Sequence, residues 1–207
     1  MKITPTFEFE NQHHGLVAGI DEAGRGPLAG PVVAAAIILD RENLPSGLAD
    51  SKALTEKRRE EIAIELHAHA QVGVGIASVE EIDELNILQA TMLAMTRAAD
   101  ALPIQADHFL IDGNRAPKLA AAASAIIKGD AKSLSIAAAS IIAKTTRDKI
   151  MRELSEIHPE FFWAKNKGYG SKMHIEAIEA HGPTQHHRRS FAPIRNMLCA
   201  ESIRRAS

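Results

Sequence analysis

Asp21 and Glu22 stand side by side at the end of an apolar run, GLVAGID, and directly before the glycine-rich stretch AGRGPLAGP. Two more acids follow short apolar runs: Asp112 closes HFLID, and Asp130 comes just after ASAIIKG. Carboxylates about 4 Å apart repel by about 4 kcal/mol at an effective dielectric near 20, so acids gathered in one place must hold protons or bind cations. Oxygen donors without a nearby His or Cys pair select a hard ion such as Mg²⁺ or Mn²⁺. Two such ions bridged by carboxylates make a phosphoryl-transfer site, one activating water and the other stabilising the leaving oxygen. An Asp after a strand also serves as a turn former or helix cap, which is an adequate reading of Asp112 or Asp130 alone. The adjacent Asp21–Glu22 pair, and the recurrence of the feature at three strand ends, favour metal binding.

Beside the pair, Gly24, Arg25 and Gly26 supply backbone amides that can approach a phosphate or sugar hydroxyl closely, and one forked cation. The loop lacks the Gly-Lys-Ser/Thr ending of a P-loop, and on its own it reads better as a plain hairpin turn; its place beside Asp21 and Glu22 is what makes it informative. Tyr169 is the only tyrosine, held between Gly168 and Gly170 in a basic stretch with Lys165, Lys167 and Lys172. Such a ring can stack on a sugar or base, and its hydroxyl can bond a 2′-oxygen; a turn tyrosine is the plainer alternative. Lys52 and Lys144 are candidates for phosphate contacts or ordinary surface lysines. Phe161, Phe162 and Trp163 read as packing, His186 and His187 as tail structure, and Cys199 as a poor nucleophile.

Elements must carry these groups to one place. Gly15–Asp21, Pro31–Leu39 and Gln71–Ser78 read as three strands, with a helix from about Thr55 to Ala70 between the last two. Ser78 and Glu81 form a capping box opening a single helix that carries Ile82, Leu85, Leu88, Met92 and Met95 on one face and ends before Pro103. His108–Asp112 and Ala123–Lys128 read as buried strands. A long helix from about Lys132 to His158 follows, with Ser133, Ser140, Lys144 and Asp148 along one polar stripe. Two short helices start near Ser171 and Thr184. The first three strands can be antiparallel neighbours, and a helical crossover then returns the chain parallel to the first. The carboxyl ends of strands one, four and five then share one sheet edge, where open α/β sheets place ligands.

The chain has 207 residues with 24 Lys and Arg, 26 Asp and Glu, and a formal net charge of −2. Near-neutrality argues against non-specific coating of nucleic acid, which rests on many cation–phosphate contacts. The charges divide unevenly, however: 12 basic and 19 acidic groups through Ser140, then 12 and 7 beyond it. A basic final third could flank an acidic cleft, although two solvated faces of opposite sign would give the same count. The longest apolar run, Pro31–Leu39, is well below the roughly 20 residues a membrane span needs, and the single cysteine excludes an internal disulfide. A soluble, cytoplasmic, monomeric protein with no membrane partner is expected.

Taken together, GIDEAGRGPLAGPVVAAAIIL, DSKALTEKRRE, HFLIDGNRAP, IIKGDAKSLSIAAASIIAKTTRD, HPEFFWAKNKGYGSKMH and HRRSFAP resemble the ribonuclease HII family of bacteria, from about Gly15 to Pro193 and in family order. The resemblance implies an α/β fold: a ribonuclease H-like mixed five-stranded sheet flanked by helices, with residues 1–158 catalytic and 159–207 a small C-terminal helical segment packed on it. It implies an endonuclease cleaving the RNA strand of RNA/DNA hybrids and incising DNA duplexes 5′ to single embedded ribonucleotides, as in ribonucleotide excision repair. Asp21, Glu22, Asp112 and Asp130 would ligate two Mg²⁺ or Mn²⁺ ions, while Gly24, Arg25, Gly26 and Tyr169 would recognise the 2′-hydroxyl. Three alternatives stay in view. A ribonuclease HIII-like nuclease is disfavoured because some fourteen residues precede the first strand, too few for its extra N-terminal domain. A phosphotransferase of the related ATPase architecture would need a second nucleotide-cradling lobe. A non-catalytic hybrid-binding module would survive loss of all four acids.

Overall fold

The computed structural model describes residues 4–49 and 51–206; Asp50 of the DSK motif and the chain ends of the two-part division lie outside the described residues. Strand β1 (Val17–Ala23) pairs antiparallel with β2 (Val32–Ile38), which pairs antiparallel with β3 (Gln71–Ala77). Strand β4 (His108–Asp112) lies parallel to β1 on its other side, and β5 (Ala122–Ile126) lies parallel to β4. Among the described residues these make one five-stranded sheet in the order β3-β2-β1-β4-β5. The mixed topology expected from the sequence is present, and the ends of β1, β4 and β5 share an edge.

Every residue of β2 is buried, as the near-continuous run VVAAAII requires of a strand covered on both faces. Its side chains alternate between two cores. Val32, Ala34, Ala36 and Ile38 pack with Ile82, Ala94 and Met95 on one side, whereas Ala35 and Ile37 pack with Ile62, Leu66, Ile141 and Ile142 on the other. The second side is covered by α1 (Glu56–His69), capped by the Thr55 side chain, and by the long α4 (Leu134–Ile157), capped by Ser133.

The structure departs from the sequence reading at several points, among them β5, an edge strand that ends at Ile126 with only that residue buried. The helix after Ser78 is not one rod but two, α2 (Val79–Leu85) and α3 (Ile87–Asp100). Asn86 separates them at φ 72°, with its side-chain oxygen accepting from Leu88 N and Gln89 N. Asparagine tolerates the left-handed region and competes for backbone donors, so it restarts the helix without disturbing the apolar spacing. No helix begins at Thr184. After the short α5 (Trp163–Asn166) and α6 (Lys172–His181), the chain runs through turns to α7 (Ala192–Ala206), while Thr184 bonds the His187 ring. Phe161 and Trp163 are fully buried with Met151, Ile178 and Ile194, as packing residues, but Phe162 is exposed at positive φ. The polar stripe on α4 faces inward, with Ser133, Ser140 and Asp148 all buried. No helix among the described residues is long and apolar enough to cross a membrane.

Candidate active site

The pleat of β1 sends Asp21 and Glu22 to opposite faces of the strand end. Asp21 is buried, and its Oδ1 accepts from Glu22 N at 2.7 Å. Glu22 Oε1 meets Arg25 Nη1 at 3.1 Å, while its Oε2 is buried with no hydrogen-bond partner. Asp112, at the end of β4, accepts from Gly129 N at 2.7 Å. That bond ties it to the tight turn carrying Asp130, whose Oδ2 lies 3.3 Å from Lys52 Nζ. Asp130 is buried in a short 3-10 turn after Lys128, which adopts the left-handed conformation.

These acids share a strained electrostatic environment. Burial, then the charges of Glu22 and Asp112, push the Asp21 carboxyl well above the ordinary carboxylate range. Burial also raises Glu22, with Arg25 partly offsetting it, and burial followed by Asp130 raises Asp112. Among the described residues no three acid, imidazole or thiol groups already close on one point as a finished metal cage. The donor set nevertheless fits a hard divalent cation: all donors are oxygens, the carboxylates raise one another's proton affinity, and a buried Glu22 oxygen lacks a partner.

A cleft of about 300 Å³ opens over the β1 end, lined by Asp21, Glu22, Gly24, Arg25, Gly26, Lys52, Lys144 and Tyr169, with Ser51 and Ser140 among the others. Asp112 lines an adjoining depression that shares Glu22 and Arg25 with it. Asp130 lines neither but joins both through Gly129 and Lys52. The structure thus brings the ten candidate residues to one end of the sheet. Lys144 is anchored by Asp148 at 2.7 Å, so its ammonium is held at the cleft instead of waving in solvent.

The glycine loop faces Tyr169 directly. A Cβ placed on Gly26 would lie 3.4 Å from Tyr169 Cε1, and the half-exposed Tyr169 ring forms the opposite lip. Gly24 has φ +102°, and a side chain there would collide with Arg147 Nε, so only glycine fits. Beneath the loop lie two buried guanidiniums that the sequence reading did not single out. Arg147 donates to the carbonyls of Pro31, Ala29 and Lys167; Arg188 donates to those of Gly24, Arg25, Gly30 and Pro31. Burial lowers their pKa values to about 10 and about 9, which leaves both charged at neutral pH. With its carbonyls drawn inward, the loop is fixed as a rigid wall of the cleft. Within an Ala/Ile-rich helix and an HRRS run, neither arginine carries a signal of burial, because arginines are exposed by default.

Carboxylates on the parallel-strand edge of a mixed sheet, next to a sugar-sized cleft walled by backbone and one tyrosine, define a metal-dependent phosphodiesterase of the ribonuclease H-like class. The family model described as "Ribonuclease HII" matches residues 18–194. A ribonuclease HII of Magnetococcus marinus is 58% identical over 185 residues, covering 88% of this chain and 87% of the relative. That of Jannaschia sp. is 54% identical over 196 residues, covering 94% and 98%. Among solved structures, the ribonuclease H2 of Pyrococcus horikoshii superposes with a TM-score of 0.74 at 30% identity, covering 88% of this chain and 97% of that one. The chain belongs to the ribonuclease HII family, and is an endonuclease of RNA/DNA hybrids.

Proposed function

We propose that this nuclease selects single ribonucleotides within duplex DNA as well as RNA/DNA hybrids, and incises on their 5′ side to leave 3′-hydroxyl and 5′-phosphate ends. The observation that carries this reading is the pairing of Gly26 with Tyr169 across a cleft floored by Asp21 and Glu22. A contact to the 2′-hydroxyl is what distinguishes RNA from DNA at one position, and a site reading one ribose needs no neighbouring RNA. The amides near Gly24–Gly26 and the Tyr169 hydroxyl take that role. Arg25, Lys52 and Lys144 hold phosphate oxygens at the cleft rim.

Asp21, Glu22, Asp112 and Asp130 would hold two Mg²⁺ or Mn²⁺ ions, which supply a nucleophilic water at neutral pH and stabilise charge on the leaving 3′-oxygen. The chain's own work is positional. The buried floor excludes bulk water around Asp21, the ribose readers set which phosphodiester lies over the acids, and Lys144, fixed by Asp148, steadies the phosphate. Residues 1–158 form the catalytic part, and residues 159–207 contribute Tyr169 and the supports beneath it. The enzyme acts as a cytoplasmic monomer on this reading.

A DNA duplex with one ribonucleotide tests the reading. With Mg²⁺ or Mn²⁺, cutting is expected at the phosphodiester 5′ to that residue, and a 2′-O-methyl group there should suppress it by at least about tenfold through loss of the hydroxyl donor and steric exclusion. Cutting indifferent to the methyl group would remove the loop and Tyr169 as ribose readers.

A further inference from the structure

The two halves of the ribose reader come from distant parts of the chain, and their spacing must be held by something. Part of the connection is backbone: Ala29 bridges His187, Arg188 N donates to Leu28 O, and Leu28 N donates to Gly168 O. A second connection runs through side chains. His187 Nε2 lies 3.1 Å from His174 Nε2, and His174 Nδ1 lies 2.8 Å from the carbonyl oxygen of Tyr169. Both rings and the adjoining Trp163 are buried.

The tautomers along this path are dictated by groups that cannot change roles. Thr184 N–H donates to His187 Nδ1 at 2.9 Å, so that nitrogen is an acceptor and the proton of a neutral His187 sits on Nε2. The Tyr169 carbonyl can only accept, so His174 carries its proton on Nδ1 and presents a lone pair at Nε2. Into that lone pair point His187 Nε2–H and the Trp163 indole N–H, the latter at 3.0 Å. A proton added to His174 would set three donors against one another. Burial, chiefly, lowers the pKa of both rings, in keeping with this neutral pair.

We infer that His174 and His187 are positioning residues for ribose selection: the directed chain Thr184 → His187 → His174 → Tyr169 carbonyl fixes Tyr169 relative to the Gly24–Gly26 loop. The inference rests on the proposed role of Tyr169. A buried imidazole pair serves this purpose because two rigid planar rings transmit orientation, adding a side-chain donor to the carbonyl that already accepts from Ser171 N.

Isotope-edited NMR of [¹⁵N]histidine-labelled enzyme reads the relay without any substitution. Among the ten histidines, the expected spectrum near pH 7 includes a neutral ring protonated at Nδ1 that is lost in His174→Gln, and a neutral ring protonated at Nε2 that is lost in His187→Gln. Opposite tautomers, or a cationic ring, at His174 or His187 would overturn the inference.

Kinetics on the single-ribonucleotide duplex supply the functional arm. His174→Gln keeps an acceptor toward Trp163 and His187 but cannot donate to the Tyr169 carbonyl. It should lower kcat about tenfold with KM little changed, and should cost less than about twofold more in a Tyr169→Ala background. His174→Asn, whose amide can donate from the Nδ1 position, should recover most of the rate. Equal losses from His174→Gln in both backgrounds, or no recovery with Asn, would reduce the pair to general packing. If Tyr169→Ala slows cleavage and His174→Gln does not, this inference alone fails; if Tyr169→Ala cuts like the native enzyme, the ribose-reading role of Tyr169 fails with it.

Discussion

The floor and the wall of the cleft are built on opposite principles. On the floor, Asp21, Glu22, Asp112 and Asp130 are crowded, burial and neighbouring charge raise the proton affinities of Asp21, Glu22 and Asp112, and one Glu22 oxygen is buried without a partner. Along the wall, the carbonyls of residues 24, 25, 29, 30 and 31 are taken up by Arg147 and Arg188, and Tyr169 is tied in by His174. The floor carries electrostatic stress that a cation relieves. The wall's carbonyls already have their donors. A nuclease needs both, since charge must be recruited at the reacting phosphate while the selected ribose is recognised with little rearrangement.

The strongest contrast comes from Asp21→Asn. Cleavage should fall at least about a thousandfold, some 4 kcal/mol of barrier, as measured by single-turnover kinetics. Metal-free stability should move the other way. Folding raises the pKa values of Asp21, Glu22 and Asp112, so their stabilising contribution is complete at low pH and is lost as pH rises through the raised values. At neutral pH the native floor is therefore a net cost, and Asp21→Asn should melt higher than the native protein without metal. A lower melting temperature would show that the floor is not under stress.

The wall should respond in the opposite way. Arg147→Met leaves the carbonyls of Pro31, Ala29 and Lys167 without their donor, and should destabilise the protein by about 3 kcal/mol in urea denaturation. Tyr169→Ala removes a half-exposed ring and should leave urea stability within about 0.5 kcal/mol, while slowing cleavage at a single ribonucleotide about thirtyfold. The last contrast concerns pH. His187 has its pKa lowered to about 3, so its stabilising contribution is present above the ordinary histidine value and declines as pH falls toward 3. The pH–stability curve of His187→Gln should be shallower across that acid range by up to about 1.4 kcal/mol per pH unit. Matching slopes would mean that His187 is already charged in the native state.

The floor was far more legible in the sequence than the wall. Asp21, Glu22, Asp112 and Asp130 each follow an apolar run, and parallel strands must bring such ends to one edge. Gly24–Gly26 and Tyr169 were marked by composition, but their approach to each other depends on where the C-terminal segment docks, which local patterns do not encode. Arg147 and Arg188 look like surface charges until the loop carbonyls around them are seen. His187 read as tail structure, which it is, although its ring reaches through His174 to the cleft. The break at Asn86 was hidden because the apolar spacing continues across it.

The most direct test sets two duplexes of identical sequence side by side, one entirely DNA and one with a single ribonucleotide, with Mg²⁺ or with chelator. Incision confined to the ribonucleotide-containing duplex, 5′ to the ribose and only with the divalent ion, is the predicted result. Equal cutting of both duplexes, or cutting that persists in chelator, would contradict a metal-seeking floor coupled to a preformed ribose-reading wall.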